Sequence, residues 1–79
     1  MRKLDDLVKE ASQTVYGIDA DVTVDMSDAG LPQVATVYRG HRDIMLLTDA
    51  DLQADEHELL AHLIVHFTNF KTAIDPAVS

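Results

Sequence analysis

The sequence predicts a small α+β domain of order α-β-β-β-α, in which a three-stranded antiparallel sheet carries two helices packed on one face. Three observations predict it. Apolar residues recur at helical spacing near both ends of the chain, they alternate with polar residues in the middle, and turn-forming stretches separate the segments. The 79 residues suit one domain, 1–79, and a hydrophobic fraction of 47% favours a folded core.

The first predicted helix spans residues 2–16. Gly17 follows it, at a position where glycine commonly ends a helix. The apolar residues of this segment share one helical face: Leu4, Leu7, Val8, Ala11 and Val15.

Three strands are predicted next, at 20–26, 33–39 and 43–48, with a turn at 27–32 and a tight reversal at 40–42. The first strand alternates, so its acidic residues share one outward face. The third contains four consecutive apolar residues, 44–47, which predicts burial on both faces or one face kept for a partner.

The main helix begins after the acidic connection 49–54 and dominates the second half of the chain. Asp55 is its predicted N-cap, and Glu58 three residues later completes a capping-box pattern. Lys71 lies in its predicted last turn. One face is apolar throughout: Leu59, Leu60, Leu63, Phe67, Phe70 and Ile74.

Glu58, His62 and His66 are spaced four apart and therefore form a stripe along this helix. Histidines at positions i and i+4 have the spacing of metal ligands, since both rings can reach one ion. The alternative is that the two histidines border the apolar face without binding a metal. His41 and His57 are predicted to be solvated.

The segment 59–67 resembles the active-site helix of the zincin metallopeptidases, which carry His-Glu-x-x-His after a short apolar lead. The resemblance implies zinc as cofactor and places His62 and His66 at the two ligand positions. The position of the family's catalytic glutamate holds Leu63, which can neither polarise nor deprotonate a zinc-bound water. The resemblance therefore implies at most a catalytically dead zincin-like domain. Glu58 is a possible third ligand because it lies on the same stripe of the helix.

Charge is the strongest global feature. Fourteen acidic against six basic residues give a formal net charge of −8. The blocks 10–38 and 43–70 contain eleven of the acidic residues and no Lys or Arg. This charge disfavours nucleic acid and anionic membranes as partners and favours a basic protein, although it also serves solubility. The absence of cysteine fits a cytoplasmic protein, and no apolar run is long enough to span a bilayer.

The acidic residues predict two partner-binding rows, whose carboxylates would stand in for backbone phosphates on a basic groove. One row lies on the first strand and the other where the third strand leads into the main helix: Asp19, Asp21 and Asp25; Asp49, Asp51, Asp55 and Glu56. We therefore expect a non-enzymatic inhibitor that binds a basic nucleic-acid-handling protein and needs no cofactor.

In size, charge and lack of cysteine the chain resembles small phage-encoded anti-CRISPR proteins. That resemblance implies a subunit of a CRISPR effector as the partner and the blocking of its nucleic-acid binding as the effect. A homodimer is also predicted. Ala61, Val65 and Thr68 make one side of the main helix small and apolar, and with Met45 or Leu47 they could bury against a second copy.

Overall fold

The structure, a computed structural model, describes residues 3–75 and confirms the α+β architecture. The sheet has the order β1-β2-β3, and both neighbouring pairs are antiparallel. Residue 2, the predicted first residue of the first helix, lies outside the described residues. The elements in chain order are α1 (Leu4–Tyr16), β1 (Ala20–Met26), β2 (Pro32–Tyr38), β3 (His41–Leu46), α2 (Asp49–Gln53) and α3 (Glu56–Ile74).

The predicted tight reversal lies one residue earlier than expected. β2 ends at Tyr38, β3 begins at His41, and the two-residue turn is Arg39–Gly40. Both turn residues have positive φ, 51° and 80°, which is the backbone of a type I′ hairpin turn and matches the twist of the strands. Arg39 is the one non-glycine residue with positive φ in the described chain. Its side chain lies over the Tyr38 ring and pairs with Asp75 at 2.7 Å.

α1 and α3 pack on the same face of the sheet, as predicted. The side chains that β2 and β3 send to that face include Val34, Tyr38 and Met45, none more than 6% exposed. Burial of each such side chain contributes about 1.5–3 kcal/mol to folding. The helices and the residue after β3 complete the core, with Leu7, Val8, Ala11, Tyr16, Leu47, Leu59, Leu63 and Phe67.

Three tilted aromatic rings join the two layers. The ring of Tyr16, on α1, lies 5.2 Å from that of Tyr38 and 5.5 Å from that of Phe67. The Tyr16 hydroxyl donates a hydrogen bond to the Phe67 carbonyl oxygen at 3.0 Å. Burial raises the pKa of Tyr16 well above its ordinary value, and the nearby carboxylate of Asp43 adds to the effect.

α3 begins where the sequence predicted, with Asp55 as its N-cap. The Asp55 carboxylate accepts hydrogen bonds from the backbone N–H groups of His57 and Glu58. The reciprocal bond of a capping box, from the Glu58 side chain, is not formed in the described part of the chain. The helix runs on to Ile74, and Lys71 in its last turn donates to the Val15 carbonyl oxygen, which fastens α3 to α1.

Candidate functional site

The predicted acidic connection is a short helix, α2, held by a capping box. The Thr48 hydroxyl accepts from the Asp51 backbone N–H, and the Asp51 carboxylate accepts in return from the Thr48 N–H at 3.0 Å. The Thr48 backbone N–H lowers the pKa of Asp51, and the nearby imidazole of His62 is a smaller contributor in the same direction. Asp51 is therefore kept ionised.

Four carboxylates lie around the start of α2 and the start of α3, and we call this set the acidic junction: Asp49, Asp51, Asp55 and Glu56. Asp49 and Asp55 are exposed, whereas Asp51 and Glu56 are half-buried. Asp51 and Asp55 each use one carboxylate oxygen in a cap, Oδ2 and Oδ1 respectively. The caps fix the direction in which the second oxygen points, so these two carboxylates are already oriented before any partner binds.

The other predicted row lies on the side of the sheet that carries no helix. We call that side the open face; it consists of Asp21, Thr23, Asp25, Gln33, Ala35, Val37, Arg42, Ile44 and Leu46. The strand register arranges these side chains in three rows across the sheet, and the first row is Asp21, Val37 and Arg42. The open face is thus acidic along β1 and mostly apolar along β2 and β3.

The three predicted strand carboxylates do not form one continuous row. Asp19 lies in the bend before β1, Asp21 shares its row with Arg42, and Asp25 shares its row with Gln33 and Leu46. All three are exposed. Thr23 interrupts the series, so Asp21 and Asp25 are about 13 Å apart along the strand. A basic groove would meet an apolar surface beside these carboxylates rather than a row of acids.

The imidazole of His66 reaches across to β3. Its Nε2 lies 2.6 Å from Oδ2 of Asp43, a carboxylate that points toward the helices from an edge strand. Both side chains are about one-third exposed or less. The pair ties the edge of the sheet to α3, and an inward charge on an edge strand also discourages pairing with another strand. Nothing in the sequence connected these two residues, which are 23 positions apart.

The three predicted metal ligands differ in their exposure and hydrogen bonding. Glu58 and His62 are exposed, and His66 is half-buried and bonded to Asp43. Within residues 3–75, no group of three or more His, Asp or Glu side chains is placed to hold a metal ion. Zinc binding by Glu58, His62 and His66 stays the alternative to a site without metal, and the zinc content of protein purified without added metal would test it. His41 and His57 are exposed, as predicted.

The dimer surface predicted on α3 has only part of its expected residues. Ala61, Val65 and Thr68 are exposed, but Met45 and Leu47 are buried in the core and are not available to a second copy. The exposed apolar residues of the third strand are instead Ile44 and Leu46. The reason is the alternation of a strand: in the run 44–47, every second side chain points to the helices and the others to the open face.

No protein-family model matches this sequence, and no curated protein or solved structure is significantly similar to it. Among the helices of residues 3–75, none is both long enough and apolar enough to cross a membrane.

Proposed function

We propose that this protein is a non-enzymatic inhibitor that places its acidic junction on the basic, nucleic-acid-binding surface of a partner protein. The observation that carries the proposal is the pair of consecutive helix starts, whose four carboxylates have no Lys or Arg between residues 43 and 70. Carboxylates and phosphates are recognised by the same Lys and Arg side chains. An acidic protein that occupies such a surface excludes the nucleic acid.

Preorganisation supports the acidic junction over the strand carboxylates as the binding surface. Asp51 and Asp55 are held by the backbone N–H groups that they cap, so little side-chain freedom remains to be lost when a guanidinium binds. The opposing consideration is that a helix N-terminus is a common place for an acid in any protein. Binding must therefore be separated experimentally from capping.

Electrostatic attraction would act mainly on the rate of association. With a net charge of −8, the chain approaches a basic surface faster than a neutral protein does, and salt screens that attraction over about 10 Å at 0.1 M. We expect the association rate constant to fall steeply between low and physiological salt, while the dissociation rate constant changes little.

The test is a competition assay with a partner captured on the immobilised protein and eluted by a salt gradient. The purified partner is given its own labelled nucleic acid, and this protein is titrated in. We expect the nucleic acid to be displaced, with a midpoint that rises with salt concentration. If both ligands bind the partner at once, the proposal is wrong.

Two variants with the same net charge test whether the position of the removed carboxylates matters or only their number. The first changes Asp49, Asp51 and Asp55 to Asn, which removes three charges while asparagine still caps helices about as well as aspartate. The second removes three charges elsewhere, with Asp5→Asn, Asp6→Asn and Asp28→Asn. We expect the first to weaken competition by about tenfold or more and the second by about threefold or less. Equal losses would contradict a role for the acidic junction.

A further inference from the structure

The open face has an apolar centre that the fold leaves uncovered. Val37, Ile44 and Leu46 are 41%, 45% and 59% exposed, although they lie on the middle and third strands of the sheet. The chain has no further described element to cover them, since α1 and α3 both pack on the opposite side. A contiguous exposed apolar surface of this kind is typical of a binding site.

The charges at the two edges of this face are opposite, and their side chains are unpaired within residues 3–75. Asp21 on β1 and Arg42 on β3 share one row, with Val37 between them. Two strand spacings, about 10 Å, separate their backbones, and no ion pair joins the two side chains in the described chain. The side chain of Arg42 makes no ion pair or hydrogen bond with any other residue from 3 to 75.

A twofold axis parallel to β2 brings these charges together. When two open faces meet about this axis, β1 of each copy lies over β3 of the other, and position along the strands is preserved. Asp21 of each copy then faces Arg42 of the other, and Thr23 faces Ile44. Asp25 faces Leu46 at the rim of the interface, and Val37 packs on Val37. Because the interface is symmetric, the contact of Asp21 with Arg42 occurs twice, whereas Val37 meets its own copy once, on the axis.

The alternative twofold axis, across the strands, is disfavoured by the same charges. It would place β1 over β1, with Asp21 of one copy facing Asp25 of the other. Like charges would then meet at two places, and Arg42 would face Leu46 rather than a carboxylate. The charge pattern therefore distinguishes between the two face-to-face arrangements.

We propose that the open face binds a second copy of this chain, as a face-to-face sandwich in which β1 of each copy lies over β3 of the other. The sheets would pack about 10 Å apart, as in other β-sandwiches. This interface is separate from the acidic junction, and it replaces the α3 surface predicted from the sequence. The dimer would carry two acidic junctions.

The size of the face sets the strength of the dimer. Three strands cover about 15 Å by about 20 Å, or roughly 300 Å² of flat area on each copy, which is below the size of permanent interfaces. The two chains also repel each other through their net charges of −8. The dimer should therefore be weak and reversible.

The first experiment is sedimentation equilibrium of the full chain from about 5 μM to about 1 mM, the range in which weak interfaces of this size associate. We expect a reversible monomer–dimer equilibrium that Ile44→Glu abolishes. Val65→Glu is the matched control, since Val65 is 59% exposed on α3 and lies away from the open face. A monomer at every concentration overturns the proposal, and so does a dimer that Val65→Glu dissociates or that Ile44→Glu leaves intact.

A charge-exchange series then tests the orientation. Asp21→Arg and Arg42→Asp should each raise the dimer dissociation constant about tenfold or more, because each places like charges together twice. The double variant restores opposite charges and should return to within about threefold of the wild type. Circular dichroism melts check that each variant is folded. Single variants without effect, or a double variant as weak as the singles, overturn the arrangement.

Discussion

The inner and open faces of the sheet are built from alternate residues of the same strands, and they differ in what covers them. On the inner face, Val34, Tyr38 and Met45 are at most 6% exposed, because α1 and α3 pack over them. On the open face, Val37 and Ile44 are exposed by more than 40%. We therefore expect an apolar residue in a strand to stabilise this fold more when its side chain points toward the helices.

Two adjacent leucines give the strongest test of this difference. Leu47 is fully buried, and Leu46 is 59% exposed. We expect Leu47→Ala to lower the free energy of unfolding by about 3 kcal/mol, since it removes buried contacts and leaves a cavity. Leu46→Ala should change it by about 0.5 kcal/mol or less.

Urea unfolding followed by circular dichroism at low micromolar concentration measures both values and keeps any dimer dissociated. Both variants replace leucine by alanine, so the effect of the substitution on the unfolded state is nearly the same in the two proteins. Equal losses at the two positions would mean that Leu46 is as well buried as Leu47 in the monomer, which would contradict the difference between the two faces.

A polar group on the covered side gives the next largest effect. Tyr16→Phe removes the hydroxyl that donates to the Phe67 carbonyl, and we expect a loss of about 1–2 kcal/mol at neutral pH. Tyr38→Phe is the control, because no side-chain hydrogen bond of Tyr38 is formed within residues 3–75 and its loss should be smaller.

The raised pKa of Tyr16 also predicts a pH dependence. Its pKa is higher in the folded than in the unfolded protein, so its stabilisation is complete below the unfolded value of about 10 and is lost as the pH rises above it. Between pH 9 and about 11, the wild type should therefore lose more stability than Tyr16→Phe. Parallel curves for the two proteins would contradict this assignment.

Periodicity accounts for the parts of the fold that the sequence predicted. The bounds of β1 agree with the prediction, and Leu59, Leu63 and Phe67 are buried on the predicted face of α3. These elements are long enough for several apolar residues to repeat in phase. α2 has five residues and none buried, so it left no periodic signal, and its capping box has Asp51 where the usual pattern has Glu or Gln.

The candidate site was less predictable because it depends on which strands are neighbours. The sequence identified each carboxylate of the acidic junction, but the pairing of Asp43 with His66 and the shared row of Asp21 and Arg42 arise from tertiary structure. The sequence predicted the turn at 40–42, whereas the observed turn begins one residue earlier, at Arg39. Arginine is not a usual residue at positive φ, and its contacts with Tyr38 and Asp75 accompany that conformation here.

A buried threonine on the inner face is a position where a substitution should stabilise the fold. Thr36 is 1% exposed on the inner face, and its hydroxyl oxygen has no hydrogen-bond partner in the described chain. Thr36→Val keeps the shape and removes the unsatisfied group, so we expect a gain of about 1 kcal/mol in the free energy of unfolding. Thr23→Val on the open face should be close to neutral. A destabilised Thr36→Val would mean that the hydroxyl has a partner in solution.

The smallest effect is expected outside the sheet, at Asp51, where water competes with the interaction. Its pKa is lowered in the folded protein, so its contribution is present above the unfolded pKa and is lost as the pH falls through the folded one. Asp51→Asn keeps an acceptor for the Thr48 N–H but loses the charge, and it should cost about 0.3–0.5 kcal/mol at pH 7. The difference should vanish in acid, once the pH has fallen below the folded pKa and the wild-type carboxyl is protonated. Asp49→Asn, on the same helix, is the matched control, because Asp49 makes no side-chain hydrogen bond in the described chain. Urea unfolding at neutral and at acidic pH measures the change in the free energy of unfolding for each of the two variants. A cost of Asp51→Asn that persists in acid would assign the effect to shape rather than to charge.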